Sequence, residues 1–246
     1  MKILVAISKV PDTTTKISFI DNNTKFNNDK VQFIINPYDE WYALVRALEL
    51  KEKLGGTVTT ITVGGADNEA IIRKALAIGA DDSVRVDAEA TDGFFVAEQI
   101  AQYAKDKSFD MVMFGKETID YNSSEVGAMA AALLDLPFIS LANKLEIDGT
   151  NATMEREIAG GKETFTCSLP FVISCNKGMA EARIPNMRGI MAARTKPLQT
   201  IPAFASENLT SVKQYELPKE KAGVKLISAD NVDELIQLLH NEAKVI

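Results

Sequence analysis

Apolar and polar residues follow two different spacings through the first 138 residues, and each spacing predicts a different element. Short apolar runs, typical of strands buried on both faces of a sheet, cover residues 3–7, 33–35, 58–63, 83–86 and 111–114. Apolar positions three and four residues apart predict helices within residues 41–48, 71–76, 95–103 and 128–134. This alternation of strand and helix predicts an α/β fold with a doubly wound, mostly parallel sheet.

After Pro137 the helical spacing gives way to alternation of apolar and polar residues. The alternating runs cover residues 141–147, 153–158 and 163–169, and the last two are separated by Gly160 and Gly161. Alternating runs joined by a glycine turn are typical of antiparallel hairpins. An apolar run at 171–173 then predicts a strand that returns to the main sheet. The sequence therefore predicts an antiparallel hairpin insertion in the parallel fold.

From about Pro197 the chain loses periodicity until a helix that is predicted by Asn231 as N-cap and Glu234 three residues later. Such a stretch is either disordered or an arm draped over a partner. We predict a Rossmann-like nucleotide-binding domain over residues 1–196, including a loop at 182–196. Residues 197–246 are predicted to form a C-terminal arm and helix.

Composition narrows the class of protein. The chain has 246 residues and a net charge of −7, and its pI is near 5.0. Nucleic acids and anionic membranes both attract a basic surface, so neither is an expected partner. No apolar run approaches the roughly 18 residues of a membrane span, so we expect a protein that is not membrane-inserted. Cys167 and Cys175 form no Cys-x-x-Cys pair, which fits a reducing compartment, and we predict a cytoplasmic protein.

Residue types that carry catalysis are scarce in this chain. The single histidine, His240, lies in the predicted C-terminal helix, which argues against a His-dependent triad and excludes a multi-histidine metal site. Glycine-rich dinucleotide fingerprints, Walker loops and His-Glu-x-x-His are absent from the sequence. We therefore predict no catalytic residues and no metal ligands.

The segments that follow the predicted strands carry polar residues suited to a nucleotide. In open α/β sheets such segments meet at the carboxyl ends of the strands, and here they are residues 7–15, 36–40, 64–68 and 115–126. Loop 115–124 is dense in hydroxyl, amide and N–H groups and leads into a helix N-terminus, an arrangement that favours a phosphate. Lys116 adds a positive charge. The alternative is a solvated loop with a serine N-cap.

Asn36 has two open interpretations. It could cap the helix that follows or hydrogen-bond an adenine edge. Asp12, after the first strand, could cap a turn or face a nucleotide. Because none of these residues pairs with a nucleophile, we expect the crevice to hold a nucleotide rather than to cleave one.

The loop at 182–196 carries no residue suited to chemistry, yet it mixes apolar side chains with Arg183, Arg188, Arg194 and Lys196. A flexible thioether among arginines suits a surface that inserts into another protein. The residues predicted to dock are Ile184, Met187, Arg188, Ile190 and Met191. The alternative is a short amphipathic helix over 187–196 whose methionines belong to the core.

Several stretches match one family nearly end to end. The most specific are Met-Glu-Arg-Glu-Ile-Ala-Gly-Gly-Lys-Glu-Thr at 154–164 and Leu-Pro-Phe-Val-Ile-Ser at 169–174. The opening ILVAISKVPD, the run INPYDE, and the stretches KALAIGADDS and GKETID add to them. Together they resemble the β subunit of electron transfer flavoprotein.

This resemblance implies a non-enzymatic electron carrier. It implies a heterodimer in which this subunit holds AMP and the α subunit holds most of the FAD, at the interface. The implied donors are acyl-CoA dehydrogenase-type enzymes of fatty acid β-oxidation, and the implied acceptor is a quinone oxidoreductase or another protein. The arm at 197–246 is then expected to pack on the α subunit. Its residues from about Pro197 to Asp230 have no core of their own and are expected to be ordered mainly by that subunit.

The resemblance also implies roles for individual residues. Glu157 is expected to face the mobile flavin domain of the α subunit, and Met187 is the expected anchor of the docking loop. Tyr38 could supply the aromatic surface beside the flavin, since Thr13 stands where many members carry an aromatic residue. The AMP contacts implied are Ala6, Asn36, Pro37, Tyr38, Asp39, Gly65, Gly115, Lys116, Thr118, Ile119, Asp120, Asn122, Ser123, Ser124 and Val126.

Two alternatives stay open at this stage. In the flavin-bifurcating branch a second FAD replaces AMP, and its members usually carry Asp-Gly-Asp and Gln where this chain has residues 120–125. Nucleotide-hydrolysing enzymes of the same fold carry a Ser-Gly-Gly phosphate loop after the first strand. Here that position reads Ser-Lys-Val-Pro-Asp at 8–12.

Overall fold

The computed structural model describes residues 1–90, 92–220 and 223–246. Its helices are α1 (Asp39–Leu54), α2 (Glu69–Ile78), α3 (Gly93–Ala104), α4 (Val126–Leu134), α5 (Met187–Ala193) and α6 (Val232–Gln237). Its strands are β1 (Lys2–Ala6), β2 (Lys9–Pro11), β3 (Phe19–Ile20), β4 (Lys25–Phe26), β5 (Phe33–Ile35), β6 (Thr57–Val63), β7 (Asp82–Asp87), β8 (Met111–Gly115), β9 (Phe138–Ala142), β10 (Lys144–Asp148), β11 (Asn151–Ile158), β12 (Gly161–Ser168), β13 (Phe171–Cys175) and β14 (Leu198–Pro202).

A parallel sheet forms the centre of the fold, with strand order β14-β7-β6-β1-β8-β13-β9. All pairings within it are parallel among the described residues. In β1, Ile3 and Val5 pack on one face of the sheet and Leu4 and Ala6 on the other, so both faces need apolar residues. Helices α1, α2 and α5 cover the first face, and α3 and α4 cover the second. The predicted doubly wound α/β fold is confirmed.

The predicted helices are present, and glycines end two of them. Helix α1 stops at Gly55, which has φ 78° and donates its N–H to the carbonyl of Lys51 at 2.8 Å. Helix α2 stops at Gly79, with φ 152°. Glycine adopts positive φ without a steric penalty, so it closes a helix with little strain.

The run at 33–35 is not a strand of the parallel sheet, contrary to the prediction. It forms β5, which pairs antiparallel with β2 in a separate two-stranded sheet. Ile35 is still fully buried. A run of three apolar residues predicts that the segment is buried, but it does not predict which strand the segment pairs with. That partner depends on the path of the rest of the chain.

The run at 141–147, predicted to be one hairpin strand, is divided between two sheets. Strand β9 pairs parallel with β13 in the central sheet, whereas β10 begins two residues later and pairs antiparallel with β11. Leu141, with φ 58°, lies where the register of β9 shifts. Alternation lapses at the break, where Leu141 and Ala142 are both apolar and Asn143 and Lys144 are both polar, and the prediction of one strand did not take this lapse into account. The antiparallel insertion is confirmed as a three-stranded sheet, β10-β11-β12.

Strand β14 was not predicted, because the sequence after Pro197 shows no periodic pattern of apolar residues. It pairs parallel with β7 at the edge of the central sheet. Its Leu198 and Ile201 are only half-buried, which gives a weak hydrophobic signal. Pro202, at its end, is tolerated because an edge strand leaves N–H positions unpaired. The predicted arm thus begins with an element of the sheet.

The next part of the arm contacts the body of this same chain. Gln99 of α3 donates from its amide to the carbonyl of Phe204 at 3.0 Å and accepts the N–H of Phe204 at 2.7 Å. Asp92 accepts the N–H of Thr210 at 2.8 Å. Tyr215 stacks on Phe19, with ring centroids 4.8 Å apart.

Beyond Tyr215 the described residues are almost all exposed. Asn231 caps α6, as predicted, and accepts the N–H of Glu234. The chain then continues in a π-helical turn, Leu238–Ala243. Residues 221 and 222 of the predicted arm lie outside the described residues.

Candidate functional site

The candidate site lies at the carboxyl ends of β1 and β8. From β1 the chain first builds the sheet outward through β6 and β7, then returns to the other side of β1 with β8. This reversal is the switch point at which open α/β sheets bind ligands. Ala6 ends β1 and Gly115 ends β8, so both predicted residues stand at this edge.

Asn36 joins two of the predicted segments directly. Its side chain is fully buried. The amide donates to the carbonyl of Glu117 at 2.9 Å, and the amide oxygen accepts the N–H of Ile119 at 3.0 Å. It does not cap α1, whose N-cap residue is Tyr38. Asn36 therefore holds loop 115–126 in place.

The turn into α1 is strained at Tyr38, where φ is 63° and ψ is −96°. Non-glycine residues rarely adopt this conformation, and such strain persists where the surroundings fix the backbone, often at functional sites. Tyr38 is 60% exposed, and Pro37 before it is half-buried. Burial raises the pKa of the neighbouring Asp39, which also lies in the field of Lys116 and Glu117.

A buried carboxyl group, Glu40, lies at the base of the site and was not predicted. It is 4% exposed and accepts hydrogen bonds from the N–H of Ser8 at 2.6 Å and from the Ser8 hydroxyl at 2.7 Å. Burial raises the pKa of Glu40 to about 8, although the bonds from Ser8 oppose this shift. An acidic residue in the first turn of a helix looks like ordinary helix capping, so the sequence carried no distinct signal.

Gly115 lies close to the start of α1. A Cβ at this position would lie 2.7 Å from both Cγ and the backbone nitrogen of Glu40. No side chain fits there, since real Cβ atoms do not approach so closely. Glycine at the end of β8 thus lets the start of α1 and loop 115–126 meet.

Loop 115–126 is held by its own polar groups. Lys116 pairs with Glu117 at 2.9 Å, and the Ser124 hydroxyl donates to Glu117 at 3.0 Å. The pair with Lys116 lowers the pKa of Glu117. The N–H of Asn122 donates to the carbonyl of Thr118 at 2.9 Å. The predicted loop residues are therefore brought together, with the cation already beside a carboxylate.

The loop leads directly into helix α4. The N-cap residue of α4 is Glu125, and no side chain caps it. The alternative of a serine N-cap is therefore wrong for this helix. Positive φ angles of 53° at Asn122 and 55° at Ser124 turn the backbone just before α4. Although the Tyr121 side chain is 61% exposed, partial desolvation raises its pKa, and the nearby Tyr215 of the arm raises it further.

The turn after β6 completes the edge. Gly65 precedes Asp67, which forms an ion pair with Lys9. The Lys9 ammonium also lies over the ring of Phe33, 4.4 Å from its centroid. This pairing connects the segments after β1 and after β6. Asp12 faces its own turn, where its carboxylate accepts the N–H of Thr14 at 2.9 Å.

The loop at 182–196 presents large apolar side chains to solvent. Ile184 is 83% exposed, Met187 72%, Met191 67% and Ile190 41%; we call these four side chains the apolar ridge. Arg188 is exposed beside them. The alternative that the methionines are core residues is wrong, although a short helix does form as α5.

Glu157 lies apart from this edge, in the antiparallel sheet. It is exposed near the end of β11, opposite Lys162 of β12. The guanidinium of the neighbouring Arg156 donates hydrogen bonds to the Glu163 carboxylate and to the Ser140 hydroxyl.

Three further features of the described part of the chain concern metals, membranes and thiols. No group of three or more His, Cys, Asp or Glu residues there could hold a metal ion. None of the described helices is long and apolar enough to cross a membrane. Both cysteines are free thiols, and burial raises the pKa of Cys175. His240 lies in the C-terminal π-helical turn.

Comparisons with known proteins agree on one family. A model described as the electron transfer flavoprotein domain matches residues 24–206. The chain is 38% identical to electron transfer flavoprotein subunit beta of Bacillus subtilis (strain 168), over the whole of both proteins. It is 36% identical to the protein of that name from Syntrophomonas wolfei, over all of this chain and 98% of that one. The mitochondrial subunit beta of Arabidopsis thaliana is 33% identical over the full length of both.

Proposed function

The chain belongs to the electron transfer flavoprotein β-subunit family, and from this premise we propose that it binds AMP and carries the docking surface of a heterodimeric electron carrier. Its partner is an electron transfer flavoprotein α subunit, which holds most of the FAD at the interface. Electrons arrive from acyl-CoA dehydrogenase-type donors of fatty acid β-oxidation. They leave to a quinone oxidoreductase or another acceptor protein. A cytoplasmic location goes with this proposal.

The observation that carries the proposal is the junction at the switch point. Asn36, Gly115 and the start of α4 bring one polar loop to the carboxyl ends of β1 and β8. The AMP phosphate fits this loop, because α4 has nine residues and its N-terminus offers free N–H groups and the positive end of a dipole. The other proposed AMP contacts are Ala6, Pro37, Tyr38, Asp39, Gly65, Lys116, Thr118, Ile119, Asp120, Asn122, Ser123, Ser124 and Val126.

The charges of the site suit an anion held mainly by backbone groups. Lys9 and Lys116 are both paired with carboxylates. The Lys116 ammonium has three donors, so it can contact a phosphate while it stays beside Glu117, which already neutralises much of its charge. We therefore predict only a modest dependence of AMP affinity on Lys116.

FAD supplies the reversible storage of electrons when it is bound to the heterodimer. This chain's residues have binding and positioning roles: Tyr38 presents an exposed aromatic ring at the start of α1, and Glu157 presents a carboxylate from β11 to the flavin domain of the α subunit. No step of bond making is assigned to the chain, and we propose no catalytic residue.

The apolar ridge is the proposed contact for donor dehydrogenases, with Met187 as its anchor. An exposed cluster of two methionines and two isoleucines beside Arg188 and Arg194 fits an apolar pocket with an acidic rim. The chain itself has a net charge of −7, so these arginines stand against the charge of the rest of the molecule.

Denaturing extraction of the purified heterodimer tests the nucleotide assignment. One AMP and one FAD per heterodimer are expected. Two FAD and no AMP would instead assign the complex to the bifurcating branch. Release of nucleotide hydrolysis products by the purified heterodimer would favour the hydrolase alternative.

A further inference from the structure

Helix α5 places its small residues inside and its large apolar residues outside. Gly189 faces α2 so closely that a Cβ there would lie 2.3 Å from the carbonyl oxygen of Ala77. Ala193 is 3% exposed. A surface helix ordinarily buries its large apolar side chains, and here the apolar ridge faces solvent. The ridge therefore does not hold α5 on the domain, and other contacts must do so.

Besides the packing of Ala193 in the core, hydrogen bonds between α2 and the end of α5 hold the helix in place. Arg73 donates from one guanidinium nitrogen to the carbonyls of Ala193 and Lys196, both at 2.9 Å. The Lys196 ammonium donates in return to the carbonyl of Leu76 at 2.9 Å. A helix of seven residues is not stable by itself. A cation at its C-terminus satisfies carbonyls that have no partner within the helix.

The segment before α5 is fixed from α1. The indole N–H of Trp41 donates to the carbonyl of Arg183 at 3.1 Å. The Arg183 guanidinium makes two bonds to the carboxylate of Glu52, at 2.6 and 3.1 Å. Helices α1 and α2 thus hold the two ends of segment 183–196, which carries the apolar ridge. The ridge itself is exposed to solvent.

We propose that Arg73 is a positioning residue for donor docking: it keeps the apolar ridge in its binding conformation before the donor arrives. This inference rests on the proposed docking function of the ridge. A surface that is already ordered avoids the loss of conformational entropy on association, so it binds more tightly than the same side chains on a mobile loop. The partner that fits is a protein with a rigid apolar pocket, matched to one arrangement of the four side chains.

The test replaces Arg73 in the heterodimer with its α subunit and measures binding to a purified acyl-CoA dehydrogenase. Arg73→Gln is expected to weaken the donor affinity about tenfold. Hydrogen exchange should quicken at the amides of Ile190, Arg194 and Lys196, with no change in β6. Glu69→Gln is the matched control, because it removes the carboxylate 3.5 Å from Arg73 and leaves the carbonyl contacts. It should behave as the parent protein does.

Two further variants separate the possible outcomes. Arg73→Lys, which keeps a charge and can reach one carbonyl, should recover part of the affinity. Met187→Ala tests docking independently: if it weakens donor binding and Arg73→Gln does not, the positioning role is overturned. If neither variant alters donor binding, the docking function fails and this inference fails with it.

Charge steering is the competing explanation for a weaker Arg73→Gln. In that case the loss of affinity would vanish at high salt and hydrogen exchange of residues 190–196 would not change. That result would overturn the positioning role. If Arg73→Gln does not fold, Gly189→Ala displaces α5 from Ala77 instead and should give the same loss of affinity.

Discussion

The side-chain oxygen of Asn36 accepts the N–H of Ile119 at 3.0 Å, across 83 residues of sequence. The same amide group donates to the carbonyl of Glu117. Two backbone groups of one loop are thus satisfied by one buried side chain. Where such a group loses its partner it costs about 1–3 kcal/mol, so the position of the loop depends on this asparagine.

We predict that Asn36→Ala lowers the AMP content of the heterodimer and destabilises it by about 1–3 kcal/mol. Nucleotide released by denaturation and the free energy of unfolding provide the two measurements. Asn36→Asp is the control: it keeps the acceptor for Ile119 and loses the donor to Glu117. A full complement of AMP in Asn36→Ala would contradict the assignment of loop 115–126.

Stability is predicted to fall with rising pH because of Glu40. Burial raises the pKa of the folded Glu40 from 4.5 to about 8, so the unfolded chain releases this proton first. Between these values the folded state binds more protons than the unfolded state, and the contribution of Glu40 to stability decreases as pH rises. The decrease over this whole range is on the order of 5 kcal/mol.

Glu40→Gln should remove that pH dependence and preserve the geometry, since an amide can both accept from Ser8 and donate to it. Chemical denaturation of the variant and its parent at pH 5 and pH 8.5 measures the difference. The variant should gain stability relative to the parent as pH rises. Parallel curves for the two proteins would mean that Glu40 is ionised in the fold throughout this range.

Met187→Ala is predicted to leave the thermal stability unchanged, because the side chain is 72% exposed. If Met187 is the anchor of the ridge, its truncation should weaken donor affinity by about 2 kcal/mol, roughly thirtyfold. The comparison variant is Leu54→Ala, which removes a 44% exposed leucine at the end of α1. Equal donor turnover in both variants would refute the anchor role.

The C-terminal arm should divide at Tyr215. Truncation after this residue removes residues 216–246. Those that the structure describes, all but 221 and 222, are nearly all exposed. The shortened chain should fold and lose its pairing with the α subunit, as co-purification would measure. Truncation after Pro197 also removes β14 and should yield an aggregating chain. Normal pairing of the first truncation would show that residues 216–246 are not needed for the expected packing of the arm on the α subunit.

The sequence predicts what depends on local pattern. Helix α1 was predicted because the apolar spacing at residues 41–48 is a signal within a few residues of the chain. Loop 115–126 was predicted as a site because topology brings strand ends together. The pairing of β5 could not be predicted, since the hydrophobic pattern indicates which face is buried and not which strand is adjacent. The break near Leu141 had a local signal, because alternation lapses at residues 141–144.

The candidate site shows the same limit. Asn36 was singled out, but whether it caps a helix, touches a ligand or holds a loop depends on a contact 83 residues away. The buried position of Glu40 could not be predicted, because it depends on Ser8 and Gly115, which pack around this residue only in the folded chain. The contacts of Arg73 with the carbonyls of Ala193 and Lys196 could not be predicted either, since an arginine on a surface helix is ordinarily solvated.

Strand β14 has a consequence for the order of events during synthesis. Until residues 198–202 have left the ribosome, β7 is an uncovered edge strand with free N–H and carbonyl groups, while every other strand of the central sheet is already available. Uncovered edges recruit other chains. A nascent chain that stalls before Pro197 therefore displays a template for intermolecular pairing, and a chaperone that covers this edge would protect the protein during translation.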